Sequence, residues 1–244
     1  MKYVLVHGAW HGSWAWDLVA NRLRTLGHEV VAVDLPSSGP IAPELGDFAA
    51  DCATVQQALD DLNAETIVVG HSYGGQVISQ ATSGRLNVTH LVYVCAFMCD
   101  VGQSMTDVLA DNPPTWIEIV DGGSAVRVTR PRETFFHDVE PQLATQAEQR
   151  LQLQSLKAAS TPLVAAAWHN INSTYIICEQ DRAIPVDQQR QMSVHATNTR
   201  WLDASHSPFL SMPDTLVDIL TAVSTLTASP KPNDAGSTLD IPPS

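Results

Sequence analysis

The segment TIVVGHSYGG, residues 66–75, constrains the fold of this chain more than any other part of it. A short run of apolar and β-branched residues leads directly into Ser72, and glycines stand two residues before and two residues after that serine. A buried strand that turns so sharply into a helix leaves no space for a side chain at either flanking position. The segment therefore predicts a strand, a tight turn that exposes the Ser72 hydroxyl, and a helix that begins near Gly75.

Similar apolar runs recur along the chain and alternate with helical patterns. The predicted strands are residues 2–6, 29–35, 66–70, 88–96, 174–178 and 199–203, and helical stripes cover residues 14–27, 48–62 and 213–223. Continuously apolar strands that alternate with helices are typical of a parallel sheet with both faces covered. We therefore expect an α/β fold, with a mostly parallel sheet of about six strands and helices on both faces.

Residues 98–170 interrupt this alternation. They contain the proline-rich stretch ADNPPTW, a short VRVTR run, and a long helical pattern rich in Gln, Ala and Leu from Pro141 to Ser160. We interpret this region as a cap inserted over one end of the sheet, which leaves residues 1–97 and 171–228 as the core. Residues 229–244 are rich in Pro, Ser and Asp, which predicts a disordered tail.

The charge and composition of the chain narrow the choice of partners. The formal net charge of −13 disfavours nucleic acids, anionic membranes and anionic substrates, so we expect a neutral small molecule. No apolar stretch is long enough to span a membrane, and the first residues, MKYVLVHG, read as a strand rather than a signal peptide. The four cysteines form no CxxC pair, which favours a reducing, cytoplasmic setting. The oligomeric state is not readable from these features.

The exposed serine needs a base and an acid before it can act as a nucleophile. Five histidines follow Ser72 in the chain: His90, His137, His169, His195 and His206. Only His206 lies on a loop between the last predicted strand and the closing helix, where the base belongs in this chain order. Asp181 follows the strand at 174–178 and is the predicted acid, with Glu179 as the alternative. Asp203 is too close to His206 in the chain to reach the far ring nitrogen.

Two backbone N–H groups are candidates to stabilise an oxyanion. One is that of Tyr73, at the start of the helix, and the other is that of Ala9, in the loop after the first strand, where Gly8 lets the backbone turn. His7 and His11 are four residues apart, but they lie in a glycine-interrupted loop with no evident third ligand, so no metal site is predicted. The chemistry predicted from these residues needs no cofactor.

Four segments together resemble the α/β-hydrolase superfamily: VLVHGAWHGSWAW, VVGHSYGG, CEQDRAIP and ASHSPF. The most similar branch is the small one that holds plant methyl esterases and hydroxynitrile lyases, and bacterial pyrethroid-type carboxylesterases are also similar. The resemblance implies the same nucleophile, base, acid and oxyanion donors as above. Hydroxynitrile lyases of this branch have a lysine directly after the histidine and a threonine in the place of Gly8. Here Ser207 follows His206, which favours ester hydrolysis.

Aromatic and sulfur-containing side chains near these motifs are candidates to bind the substrate. They are Trp10, Met98, Trp116, Phe135, Phe136 and Trp168. With the acidic surface, they favour a small, neutral, hydrophobic ester that is hydrolysed through an acyl-enzyme. Lyase chemistry, cofactor-free dioxygenase chemistry and a non-catalytic small-molecule receptor remain alternatives on this scaffold.

Overall fold

The structure is a computed structural model that describes residues 1–110 and 113–226. The strands of this part of the chain are β1 (Lys2–Val6), β2 (Glu29–Val33), β3 (Ser38–Gly39), β4 (Thr66–His71), β5 (Val88–Val94), β6 (Ile117–Val120), β7 (Ala125–Val128), β8 (Leu153–Ser155), β9 (Ser173–Cys178) and β10 (Asn198–Leu202). The α-helices are α1 (Asp17–Thr25), α2 (Phe48–Leu62), α3 (Tyr73–Ala81), α4 (Met105–Leu109), α5 (Pro131–Phe135), α6 (Pro141–Arg150), α7 (Leu156–Ala159), α8 (Val186–Ser193), α9 (Pro208–Ser211) and α10 (Pro213–Leu226). The predicted tail at 229–244 lies outside the described residues.

Six strands form the central sheet, in the order β10-β9-β5-β4-β1-β2. Every neighbouring pair in this sheet is parallel, so all six strands end at the same edge. The six predicted strands and their parallel arrangement are confirmed. The central strand β4 is buried along its whole length, which is why its sequence shows no polar alternation.

Helices cover the sheet, as the apolar stripes predicted. α1 packs against α10 and α2 packs against α3. The Asp47 carboxylate accepts a hydrogen bond of 3.1 Å from the Ala50 N–H and so caps α2. Gly27, at a φ of +83°, follows α1 in the left-handed conformation that ends many helices. None of the helices in the described ranges is long and apolar enough to cross a membrane.

A second, antiparallel sheet joins strands in the order β3-β8-β7-β6. The expectation of one helical stretch from Pro141 to Ser160 is wrong, because α6 ends at Arg150 and β8 follows. The Gln152 N–H donates to the Trp10 carbonyl at 2.8 Å, in place of a bond within a helix. Contacts with distant parts of the chain thus override the helical propensity of this segment. The division into core and cap remains a prediction.

His90 lies inside β5, where its buried ring contacts the Thr174 hydroxyl at 2.9 Å. Burial lowers the pKa of His90 from 6.5 to about 4. Between these pH values the unfolded chain binds a proton that the folded chain does not. The free energy of unfolding is therefore expected to fall as the pH drops from about 6.5 to about 4, by about 3 kcal/mol for this one histidine. Urea unfolding between pH 7 and pH 4 measures this loss.

The contribution of His90 is identified by two variants measured over the same pH range. His90→Leu removes this buried titrating ring and is expected to reduce the loss of stability by about 3 kcal/mol. The buried His7, His11 and His71 keep their own contributions. His195→Gln, at an exposed position, is expected to leave the pH dependence as in the wild type. An unaltered pH dependence in His90→Leu would contradict this assignment.

Candidate active site

Ser72 lies in the turn between β4 and α3, with φ of +51° and ψ of −123°. A non-glycine residue rarely adopts a positive φ, and the surrounding structure has to hold it there. A Cβ atom on Gly70 would lie 2.7 Å from the Gly74 carbonyl oxygen, and one on Gly74 would lie 2.7 Å from the carbonyl oxygens of Val6 and His7. The two glycines therefore permit the turn that the sequence predicted.

Gly70→Ala is expected to lower the free energy of unfolding by about 3 kcal/mol, because the added methyl group meets only backbone atoms that cannot move aside. Gly84→Ala is the matched control. Gly84 has open space around its Cβ position but a φ of +73°, so that variant is expected to lose only about 1 kcal/mol to backbone strain. Urea unfolding compares the two. Equal losses would show that the close approach at the turn is not the constraint.

His206 and Asp181 form a buried pair near this turn. His206 Nδ1 lies 2.8 Å from Asp181 Oδ2, and the two side chains are 2% and 0% exposed. The other contacts of Asp181 hold its carboxylate in place: Oδ1 accepts from the N–H groups of Ala183 (2.7 Å) and Ile184 (3.0 Å), and Oδ2 accepts from Gln189 Nε2 (2.9 Å). A carboxylate fixed in this way orients the imidazole, so that Nε2 remains on the far side of the ring for proton transfer.

The other histidines considered from the sequence lie elsewhere. At the surface of the fold, His137 Nε2 lies 2.8 Å from the Gln180 carbonyl oxygen, and His169 Nε2 lies 2.8 Å from the Asp100 carboxylate. His195 is exposed. Glu179, the alternative acid, is exposed. Asp203 accepts a hydrogen bond of 2.8 Å from Gln180. Neither carboxylate takes the place of Asp181 beside His206.

The loop after β1 passes directly beside the serine turn. A Cβ atom on Gly8 would lie 2.7 Å from Ser72 Cβ, so the absence of a side chain at Gly8 lets the two segments touch. No described residue accepts a hydrogen bond from the N–H of Ala9 or of Tyr73. Tyr73 is the first residue of α3, whose positive end faces the turn. Both donors are thus free to receive a negatively charged oxygen.

A small apolar cavity lies between Ser72 and His206. It offers only about 10 Å³ of free space, and its walls are Trp10, Ser72, Phe97, Met105, Leu109, Trp116, Ile117, Ala183, Ile184 and His206. An adjoining apolar groove of about 260 Å³ shares the side chains of Met105, Leu109 and Ile117 with it. The space next to the serine is therefore separated from a larger apolar groove by the three side chains that line both.

Only two of the five predicted substrate-binding aromatic residues, Trp10 and Trp116, line this cavity. Phe135 is fully buried behind it, with its ring centroid 5.3 Å from those of Trp116 and His206. Phe136 is also fully buried, and the Trp168 indole donates to the Cys99 carbonyl at 2.9 Å. Phe135, Phe136 and Trp168 pack in the protein interior and do not line this cavity, so their contact with a substrate stays a prediction. Met98 is likewise buried and does not line the cavity.

Buried polar residues that the sequence analysis missed surround the site. The His71 ring lies 4.6 Å from that of His206, and its Nε2–H donates to the His206 carbonyl at 2.8 Å. Burial holds the pKa of His71 well below its usual range, so the ring is neutral. His71, Cys95 and His206 offer potential metal ligand atoms within 4.8 Å of one another. One ring nitrogen of each histidine, His71 Nε2 and His206 Nδ1, is engaged in the contacts above, whereas His71 Nδ1 is buried without a hydrogen-bond partner among the described residues.

Comparison with known proteins gives the class of this fold and site. A model of the alpha/beta hydrolase family matches residues 3–219. The chain is 31% identical to alpha/beta hydrolase nvfD of Aspergillus novofumigatus, over 89% of this chain and 94% of the relative. It is 29% identical to methylesterase 7 of Arabidopsis thaliana, over 90% of this chain and 94% of the relative. It also resembles the crystal structure of a pyrethroid hydrolase from Sphingobium faniae, with a TM-score of 0.82 and 26% identity. The match covers 92% of this chain and 97% of that protein.

These matches extend over nearly all of the described chain. The chain belongs to the alpha/beta hydrolase family. The family resemblance, the fold class and the assignment as a hydrolase made from the sequence are confirmed.

Proposed function

We propose that this protein is a serine carboxylesterase that hydrolyses a small, neutral, hydrophobic ester through an acyl-enzyme on Ser72. The observation that carries this proposal is the buried His206–Asp181 pair, at 2.8 Å, whose histidine borders the same apolar cavity as Ser72. The relatives named methylesterase and pyrethroid hydrolase support ester hydrolysis as the reaction.

Each proposed step uses a group that is already near the serine turn. His206 takes the Ser72 proton as Oγ attacks the ester carbonyl, while Asp181 orients the ring and stabilises the imidazolium. The N–H groups of Ala9 and Tyr73 receive the oxyanion, and each such donor contributes about 3 kcal/mol in comparable sites. The tetrahedral intermediate expels the alcohol, which takes the proton from His206. Water, deprotonated by His206, then attacks the acyl group and releases the acid.

The proposed substrate class follows from the cavity walls and the net charge. The free space beside Ser72, about 10 Å³, holds no more than about one water molecule, so an ester can enter only if neighbouring side chains move. We assign the apolar part of the ester to the adjoining groove, because Met105, Leu109 and Ile117 border both spaces. The net charge of −13 disfavours an anionic ester at long range.

Stopped-flow kinetics with p-nitrophenyl acetate, butyrate and hemisuccinate test the proposal. We expect a burst of p-nitrophenol followed by steady turnover, with butyrate favoured over acetate and the anionic hemisuccinate disfavoured. Each methylene buried in the groove is worth about 0.8 kcal/mol, or about a fourfold gain. Diethyl p-nitrophenyl phosphate should modify Ser72, as located by peptide mass mapping. Absence of both burst and label would contradict the esterase, and cyanohydrin cleavage or oxygen uptake would then point to a lyase or a dioxygenase.

A further inference from the structure

A buried polar chain begins at the side chain of Tyr73, whose backbone N–H is one proposed oxyanion donor. The Tyr73 hydroxyl donates to Asp51 Oδ2 at 2.6 Å, and the Ser37 N–H donates to Asp51 Oδ1 at 2.9 Å. All three residues are fully buried. A buried carboxylate is costly unless its oxygens are satisfied, so Asp51 fixes its two partners firmly. Asp51 therefore joins the first residue of α3 to the loop after β2.

Gln154, in β8, extends this series of hydrogen bonds towards the other proposed donor, the Ala9 N–H. Its Nε2–H donates to Ser37 Oγ at 2.9 Å, and its Oε1 accepts from Ser38 Oγ at 2.9 Å and from the Trp10 N–H at 3.4 Å. Gln154 is fully buried, and both ends of its amide are used. Because Trp10 directly follows Ala9, the amide of Gln154 holds the peptide group next to the second donor.

Trp10 is itself held in a conformation that needs support. Its φ is +65°, which is unfavourable for a bulky side chain. Its carbonyl accepts from the Gln152 N–H at 2.8 Å, and its indole N–H donates to the Val126 carbonyl at 3.0 Å. Hydrogen bonds to β7 and to the residue before β8 thus hold both the backbone and the side chain of Trp10.

We propose that Gln154, Ser37 and Asp51 form a positioning network that sets the distance and angle between the two oxyanion donors, acting through Trp10 and Tyr73. The inference rests on the proposed esterase function. None of the three residues touches the reacting atoms. The network makes catalysis depend on the position of β8, because the Gln154 amide in β8 joins the loop after β1 to the loop after β2.

Two variants break the network at opposite ends. Tyr73→Phe removes the hydroxyl from Asp51, and Gln154→Met replaces the amide by a side chain of similar shape. Each is expected to lower kcat for p-nitrophenyl butyrate about tenfold, with KM changed less than twofold, because a small displacement of a donor weakens binding of the transition state and not of the ester. Tyr3→Phe is the matched control. It removes the fully buried Tyr3 hydroxyl, which donates to the Leu220 carbonyl at 3.2 Å, outside the network.

A pair of inhibitors separates positioning from loss of stability. 3-(Butylthio)-1,1,1-trifluoropropan-2-one forms a hemiketal when Ser72 Oγ bonds to its carbonyl carbon, His206 takes the proton and the carbonyl oxygen becomes an oxyanion. N-butylacetamide binds without that charge. We expect affinity for the ketone to fall about tenfold in both variants, in parallel with kcat, and affinity for the amide to remain constant. Tyr3→Phe should lose thermal stability without either kinetic change.

The results distinguish the two proposals. Equal losses of affinity for the ketone and the amide, or a loss of kcat no larger than in Tyr3→Phe, would overturn the positioning network. The proposed esterase function would remain intact. A wild-type enzyme without turnover that depends on Ser72 would overturn both. If one variant fails to fold, the other still decides the question, because the network predicts the same kinetic pattern from either end.

Discussion

Ser72→Ala is expected to lower kcat/KM for p-nitrophenyl butyrate by a factor on the order of 10⁴ to 10⁶ and to abolish the burst. The substitution removes the only atom that forms the acyl-enzyme in the proposed mechanism. The remaining hydrolysis would come from the oxyanion donors and from substrate binding. Stopped-flow and steady-state assays on the same preparation measure both changes.

Ser79→Ala is the matched control for this change. Ser79 is also buried on α3, and its hydroxyl lies 2.9 Å from that of Tyr93, away from the cavity. We expect that variant to retain the burst and wild-type turnover, with a modest loss of stability. Turnover by Ser72→Ala within tenfold of the wild type would exclude Ser72 as the nucleophile.

Asp181→Asn is expected to lower kcat about 10⁴-fold. An asparagine amide in place of Oδ2 would present N–H groups to His206 Nδ1, and so would favour the tautomer with its proton on Nε2. That tautomer cannot accept the proton of Ser72. The remaining amide oxygen can still accept the hydrogen bonds from the N–H groups of Ala183 and Ile184, so the loop is expected to keep its shape, whereas the bond from Gln189 Nε2 to Oδ2 is lost.

Two other carboxylates provide the controls: Glu179, the alternative acid in the sequence analysis, and Asp203, which the sequence analysis set aside. Glu179→Gln and Asp203→Asn change exposed side chains near the same loop, and both variants are expected to keep kcat within twofold of the wild type. Circular dichroism and thermal melting would confirm that all three variants are folded. A larger loss in Glu179→Gln than in Asp181→Asn would move the role of the acid to Glu179.

Local sequence signals were sufficient to predict the residues of the proposed triad. The turn at Ser72 is specified by the strand before it and by glycines that lie two residues away. His206 and Asp181 each follow a strand of the parallel sheet, and parallel strands bring their carboxyl ends to one edge. Chain order alone therefore placed these groups on the same edge of the fold.

Asp51 shows where a signal was present and was missed. It lies on the apolar face of α2, three residues after Phe48 and four before Val55, and an aspartate on such a face needs a buried partner. That partner, the Tyr73 hydroxyl, lies 22 residues further along the chain. The sequence pattern marks the unusual carboxylate but does not identify the group that it meets.

The sequence by itself determined the parallel sheet, the serine turn and the edge at which His206 and Asp181 lie, because periodicity, glycine positions and chain order are local properties. Only the tertiary structure decided which aromatic residues line the cavity, that β8 interrupts the predicted helix, and that Gln154 reaches Trp10 across 144 residues of chain. These features depend on pairings between distant segments. Many segments could satisfy the same hydrogen bond or fill the same volume, and the fold as a whole selects among them.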